Sequence, residues 1–142
     1  MRSIIIAFVC VCIFVEIAIS TQARTACTHH KALQAEYSIG CIRNWAMMYA
    51  SYVLYSNCDD GAIAEEYDDK VVDLLTNHWA MFDELYDLSK VHPRFERFVL
   101  YHINTLMSQK QAMTIIENAS KHCPPEAKGL CMKLKRKAQN PQ

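Results

Sequence analysis

The run CTHHKALQAEYSIGCIRNWAMMYASYVLYSNC, residues 27–58, carries the clearest periodicity in the chain. Leu33, Tyr37, Cys41, Trp45, Met48, Tyr52 and Tyr55 recur at steps of three or four residues. That spacing puts them on one face of an α-helix. The pattern predicts a helix over about 28–56, with Gly40 as the point where any kink would fall, because Ser38-Ile39-Gly40 is its weakest stretch. Three cysteines, Cys27, Cys41 and Cys58, sit on or beside this helix, so its apolar face is expected to be covered by the rest of the chain and stapled to it.

Working outward, the chain holds only three glycines and four prolines in 142 residues, and all four prolines lie after position 92. Few breakers and long runs of helical period argue for an all-α domain. Asn57-Cys58-Asp59-Asp60-Gly61 reads as a turn, with Asp59 or Asp60 capping the helix that follows. A second helix is expected over 62–89, with Ile63, Tyr67, Val71, Leu74, His78, Phe82, Leu85 and Leu88 as its stripe. A third starts at Pro93, a favoured first helical position, and carries Phe95, Phe98, Val99, His102, Ile103, Leu106, Met113 and Ile116 up to Pro124. A short fourth piece begins near Pro125 with Leu130, Cys131 and Leu134. Short links between long helices make neighbours antiparallel. The expected fold is a small disulfide-stapled helical bundle of three long antiparallel helices plus a short C-terminal helix. It spans 21–138 as a single domain, with 139–142 as a loose tail.

The first twenty residues read differently. Arg2 precedes an apolar run from Ile4 to Ile19, and Ala18-Ile19-Ser20 supplies small residues at minus three and minus one. This is the pattern of a secretory signal peptide over 1–20, cleaved after Ser20 or, second, after Ala23. Glu16 inside the run speaks against a retained membrane helix. Nothing later resembles a spanning segment, so no stable membrane insertion is expected. The chain is half apolar by residue count, with zero formal net charge, which excludes the charge excess of a nucleic-acid binder. The charge is uneven, however. Ten acidic residues and one Lys lie within 59–87, and six basic residues and one Glu within 121–137.

Loss of the leader removes Cys10 and Cys12 and leaves Cys27, Cys41, Cys58, Cys123 and Cys131. In an oxidising route five cysteines give two bridges and one leftover thiol, which opens the way to a disulfide-linked dimer. Geometry narrows the pairing. With three unbroken antiparallel helices, Cys58 and Cys123 fall at the same end, and Cys41 lies seventeen residues further down. At 1.5 Å rise per residue that is roughly 25 Å, beyond the ~7 Å reach of a disulfide. Cys58 is therefore expected to bond Cys123 or Cys131.

No catalytic signature is present. The three scattered glycines allow no nucleotide loop and no nucleophile elbow. The six histidines show no metal-ligand spacing, and Asp59-Asp60-Gly61 lacks the remainder of a calcium loop. No metal, no cofactor and no catalytic residue is expected. The basic stretch Lys128, Lys133, Lys135, Arg136 and Lys137 reads as a solvated helix end first and a polyanion surface second. Asn118-Ala119-Ser120 is the single acceptor triplet for N-glycosylation, and a glycan there requires Asn118 to be exposed.

Two resemblances stand in the sequence. Cys123 and Cys131 resemble the closing cysteine pair of insect odorant-binding proteins, which are secreted, helical and of this length, although the central pair of that family is missing here. It implies a carrier of a small hydrophobic ligand. Trp79, Phe82, Tyr86, Arg97, Tyr101, Asn104 and the stretch from Met113 to Asn118 look like a cysteine-protease propeptide, which implies an inhibitor. Neither assigns the chain to a family. The leading expectation is a secreted, extracellular, non-enzymatic protein that binds another protein, in the manner of a venom, salivary or cytokine-like effector. In the carrier reading a pocket is lined by Trp45, Tyr49, Tyr52, Trp79, Phe82 and Phe98.

Overall fold

The computed structural model describes residues 26–141, so the expected leader and both cleavage points lie outside the described residues. Those residues are all-helical: α1 His29–Gly40, α2 Trp45–Tyr55, α3 Gly61–Asn77, α4 Phe82–Val91, α5 Pro93–Tyr101, α6 Gln109–Lys121 and α7 Lys128–Gln139. Short 3-10 turns cover Ser56–Cys58, Trp79–Met81 and Pro125–Ala127. Each of the three long helices expected from the sequence is divided, and each division has a local cause.

The first falls at 41–44. Thr28 caps α1 by accepting from the backbone N–H of Lys31, and the helix runs out at Gly40. Arg43 then donates from Nη1 to the carbonyls of Gly40, at the helix end, and Ile42, in the turn, at 2.8 and 2.7 Å. Asn44 is extended and caps α2, its side chain accepting from Met47 N–H at 2.9 Å. The break is a reversal rather than a kink: α2 folds back along α1 as a hairpin.

The second long helix stops at His78, and a 3-10 turn leads into α4. Trp79 leaves the helical path to donate from Nε1 to the carbonyl of His122, 3.0 Å away at the end of α6. The third stops at Tyr101. Ser108 and Gln111 form a reciprocal capping box that starts α6 afresh. Between α4 and α5, His92 precedes Pro93 and is held out of the helical region (φ −125°, ψ 76°), as a pre-proline residue should be. Asp60 caps α3, and Gly61 turns into it with φ +53°, a conformation that a side chain would strain.

The breaks reset the helical phase, and with it the faces that are buried. In α1 the core takes Ala35 and Ile39, while Leu33 and Tyr37 of the expected stripe are 50% and 79% exposed. Ile42, in the turn, and then Trp45 and Met48 rejoin the interior. In the third run the stripe holds from Phe95 to Ile103. Beyond the break Leu106 and Met113 face out, and Ile115 and Ala119 are buried instead. The second run keeps its stripe from Ile63 to Leu85 apart from the exposed His78. In α7 Leu130, Cys131, Leu134 and Ala138 are buried. One core cluster draws side chains from all seven helices, with Trp45, Tyr67, Phe95, Leu74, Leu85 and Leu134 among its largest fully buried members.

Candidate functional site

The disulfides define the first feature. Cys27 bonds Cys58, with Cα atoms 4.9 Å apart, and Cys123 bonds Cys131, with Cα atoms 6.1 Å apart. The expected bridge from Cys58 to Cys123 or Cys131 is thus overturned. It rested on an unbroken first helix that would carry Cys27 far from Cys58. Because α2 folds back, the start of α1 and the end of α2 lie together. Lys31 Nζ donates to Asn57 Oδ1 at 2.7 Å across the same end. The fifth cysteine, Cys41, is free and exposed at the opposite end of the hairpin.

The hairpin presents the displaced stripe to solvent. Leu33, Tyr37 and Cys41 from α1 and its turn, with Met47, Ala50 and Tyr55 from α2, line an open groove of about 610 Å³. Leu54, 57% exposed, continues the α2 stripe at helical spacing from Met47 and Ala50. Val53 beside it is 56% exposed. An apolar patch of this kind, on a hairpin clamped by a disulfide at one end, is the sort of surface that marks an interaction site.

The six residues expected to line a carrier pocket do not converge. Trp45 and Phe82 belong to the core, and Trp79 stacks on Phe82 with ring centroids 4.4 Å apart, next to α6. Tyr49, Tyr52 and Phe98 do come together. Tyr52 packs on Phe98 at 4.9 Å and on Phe95 at 5.4 Å, and Tyr49 stacks on His92 at 4.4 Å. Tyr52 and Phe98 also line a second, more polar pocket of about 740 Å³ with Ser56, Asp59, Arg94, Arg97 and Tyr101.

Behind that pocket is a polar cluster that the sequence reading missed. His102 is fully buried. Its Nδ1 lies 2.7 Å from Asp68 Oδ1 and its Nε2 3.3 Å from Asp59 Oδ2. An imidazolium donates to both carboxylates and a neutral ring to only one. Since Asp68 comes from α3 and Asp59 from the loop before it, this histidine ties the end of α5 to α3. Tyr67, also fully buried, shares a 2.8 Å hydrogen bond with Ser51 of α2. Burial pushes the Tyr67 phenol up to about 12. The Ser51 contact acts in the opposite direction, and the Asp59 carboxylate adds to the rise. His102 and Asp68 are buried behind side chains and work as a structural tie, while Asp59 at the edge of the cluster also lines the pocket. The cluster's only sequence signal was His102 standing on an apolar stripe.

Among the described residues no group of three or more His, Cys, Asp or Glu side chains is placed to hold a metal ion. Nor is any helix there long and apolar enough to cross a membrane. Asn118 is half-buried rather than exposed. Its Nδ2, the atom a glycan would occupy, donates to the Leu75 carbonyl at 3.0 Å and ties α6 to α3. In the basic segment, Lys133 pairs with Glu96 of α5.

No known family, curated protein or solved structure matches this chain. The reading of its function therefore rests on its own surfaces.

Proposed function

We propose that this is a secreted, non-enzymatic helical protein that acts by binding another protein, and that the open face of the α1–α2 hairpin is the surface it uses. The observation that carries the reading is the exposure of Leu33, Tyr37 and Met47 around one groove on that hairpin. Interfaces are built around large apolar and aromatic anchors of this type. The Cys27–Cys58 bridge holds the two helices at one end, so little ordering cost is left for binding. The leader-like start and the two intramolecular disulfides support an extracellular setting. A small apolar ligand is the second reading, supported by the groove volume of about 610 Å³ on the same face.

The test uses protein secreted from eukaryotic cells, expected to begin at Thr21 or Arg24, with a photo-crosslinking residue at Tyr37. Applied to intact cells and extracellular fluid, it should give one discrete heteromeric adduct. Unlabelled protein should compete that adduct away, and a Leu33→Asp, Met47→Asp variant should not. An adduct competed equally by the variant defeats the assignment of the face. A product that is only a dimer, lost in Cys41→Ser, shows instead that the face is occupied by a second copy. Native mass spectrometry showing a retained small molecule favours the carrier.

A further inference from the structure

We infer that the pocket between α2 and α5 is a binding site for a phosphate or sulfate monoester carried on an aromatic ring. This does not depend on the hairpin face, which is formed by other residues. Arg94 and Arg97 stand on α5 one turn apart, and both line the pocket. Neither makes an ion pair or hydrogen bond among the described residues, although acidic and basic side chains are present in equal number in the chain. Glu96, between them in sequence, is turned away and paired with Lys133. Two unengaged guanidinium forks on one wall of a pocket are matched by an oxyanion with more than one oxygen to offer. The hydroxyls of Ser56 and Tyr52, one helical turn apart on the facing element, add donors of the kind that accompany such a head group.

The remaining walls are aromatic. Tyr52 and Phe98 meet at 4.9 Å, and Tyr101, 65% exposed, stands at the rim. A smaller depression of about 340 Å³ shares Tyr52 and Arg94 with the pocket and extends the aromatic wall to Tyr49 and Phe95. Inorganic anions leave these rings unused, whereas an aryl ester stacks on them. Asp59 fixes the orientation. Its carboxylate, held by His102, repels an anion from the α3 side and leaves the arginine side as the place for the head group. The volume of about 740 Å³ falls in the ordinary range for small-molecule sites, roughly 300–1,000 Å³.

Isothermal titration of the oxidised, secreted protein with 4-methylumbelliferyl phosphate and 4-methylumbelliferyl sulfate tests the assignment. Inorganic phosphate and neutral 4-methylumbelliferone serve as the two halves of the ligand. At least one ester should bind saturably at one site, and which one binds identifies the source of the oxyanion. Each half alone should bind about tenfold or more weakly, and so should the ester to an Arg94→Gln, Arg97→Gln variant. Both arginines are exposed, so these changes leave the core intact. An Arg136→Gln, Lys137→Gln variant on α7 should bind as the parent does. Three results overturn the inference: no saturable binding of either ester, inorganic phosphate binding as tightly as the esters, or unchanged binding in the arginine variant.

Discussion

Tyr67 shows how one buried group writes a pH dependence into the whole molecule. Its phenol is pushed from the ordinary 10 to about 12, first by burial. The unfolded chain releases this proton near pH 10, and the folded chain holds it until about 12. Stability that is fully present below pH 10 is therefore lost progressively as pH rises to about 12. Two units correspond to roughly 2–3 kcal/mol. Tyr67→Phe has no proton to lose there. It forfeits the hydrogen bond to Ser51, costing about 1 kcal/mol at neutral pH. The expected outcome is a crossing in urea midpoints: the parent is more stable at pH 8, and the variant is more stable by pH 12. A difference between the two that stays constant over this range refutes the account. His102 belongs to the same scale. Its removal leaves the Asp59 and Asp68 carboxylates facing a buried gap, the kind of change that costs most in a protein interior.

At the scale of elements, the sequence was legible in composition and local chemistry but not in continuity. The helical class, a cap at Asp59 or Asp60, the start at Pro93 and the buried stripe from Ile63 to Leu85, His78 excepted, follow from spacing and residue type. The breaks were also written locally, as Gly40 with Asn44, and as Ser108 with Gln111. Periodicity runs across such signals, because a reversal of four residues preserves an apolar step of three or four while changing the direction of the chain. That is why the stripe of Leu33 and Tyr37 looked like core and lies outside. It is also why the cysteines were mispaired. The hairpin now makes a quantitative statement. The Cys27–Cys58 bridge closes a loop with a sequence separation of 31, and Cys123–Cys131 one of 8. In the chain-entropy model the first is worth about 3.7 kcal/mol and the second about 2.5. Replacing Cys27 and Cys58 by Ser should therefore lower the urea-derived stability more than replacing Cys123 and Cys131. Non-reducing peptide maps should show these two linkages and a free Cys41. The reverse order of stability losses, or a map joining Cys58 to either late cysteine, removes the hairpin from the account.

For the whole molecule the question is whether seven short helices behave as one body. Most fall within or below the length at which an isolated helix is marginal in water, about 12–15 residues. Only α3, with 17 residues, exceeds that range. Stability must come from the shared core, and that core includes residues from every helix in a single cluster. The ties between elements run through it and around it. His102 joins the end of α5 to α3, Asn118 joins α6 to the Leu75 carbonyl of α3, and Trp79 joins the α3–α4 turn to the end of α6. Loss of any helix therefore exposes part of the surface on which the others depend, which is the condition for all-or-none unfolding. The two tryptophans let this be measured. Trp45 is buried in the hairpin, and Trp79 lies on the far side of α3 from it in sequence. In a Trp79→Phe variant the emission reports on Trp45 alone. Its thermal midpoint should coincide with that of the helical circular dichroism signal, which sums over all seven helices. A Trp45 transition well below the helical one would mean that the hairpin melts first. It would then be a separable arm held by its disulfide rather than part of one cooperative fold.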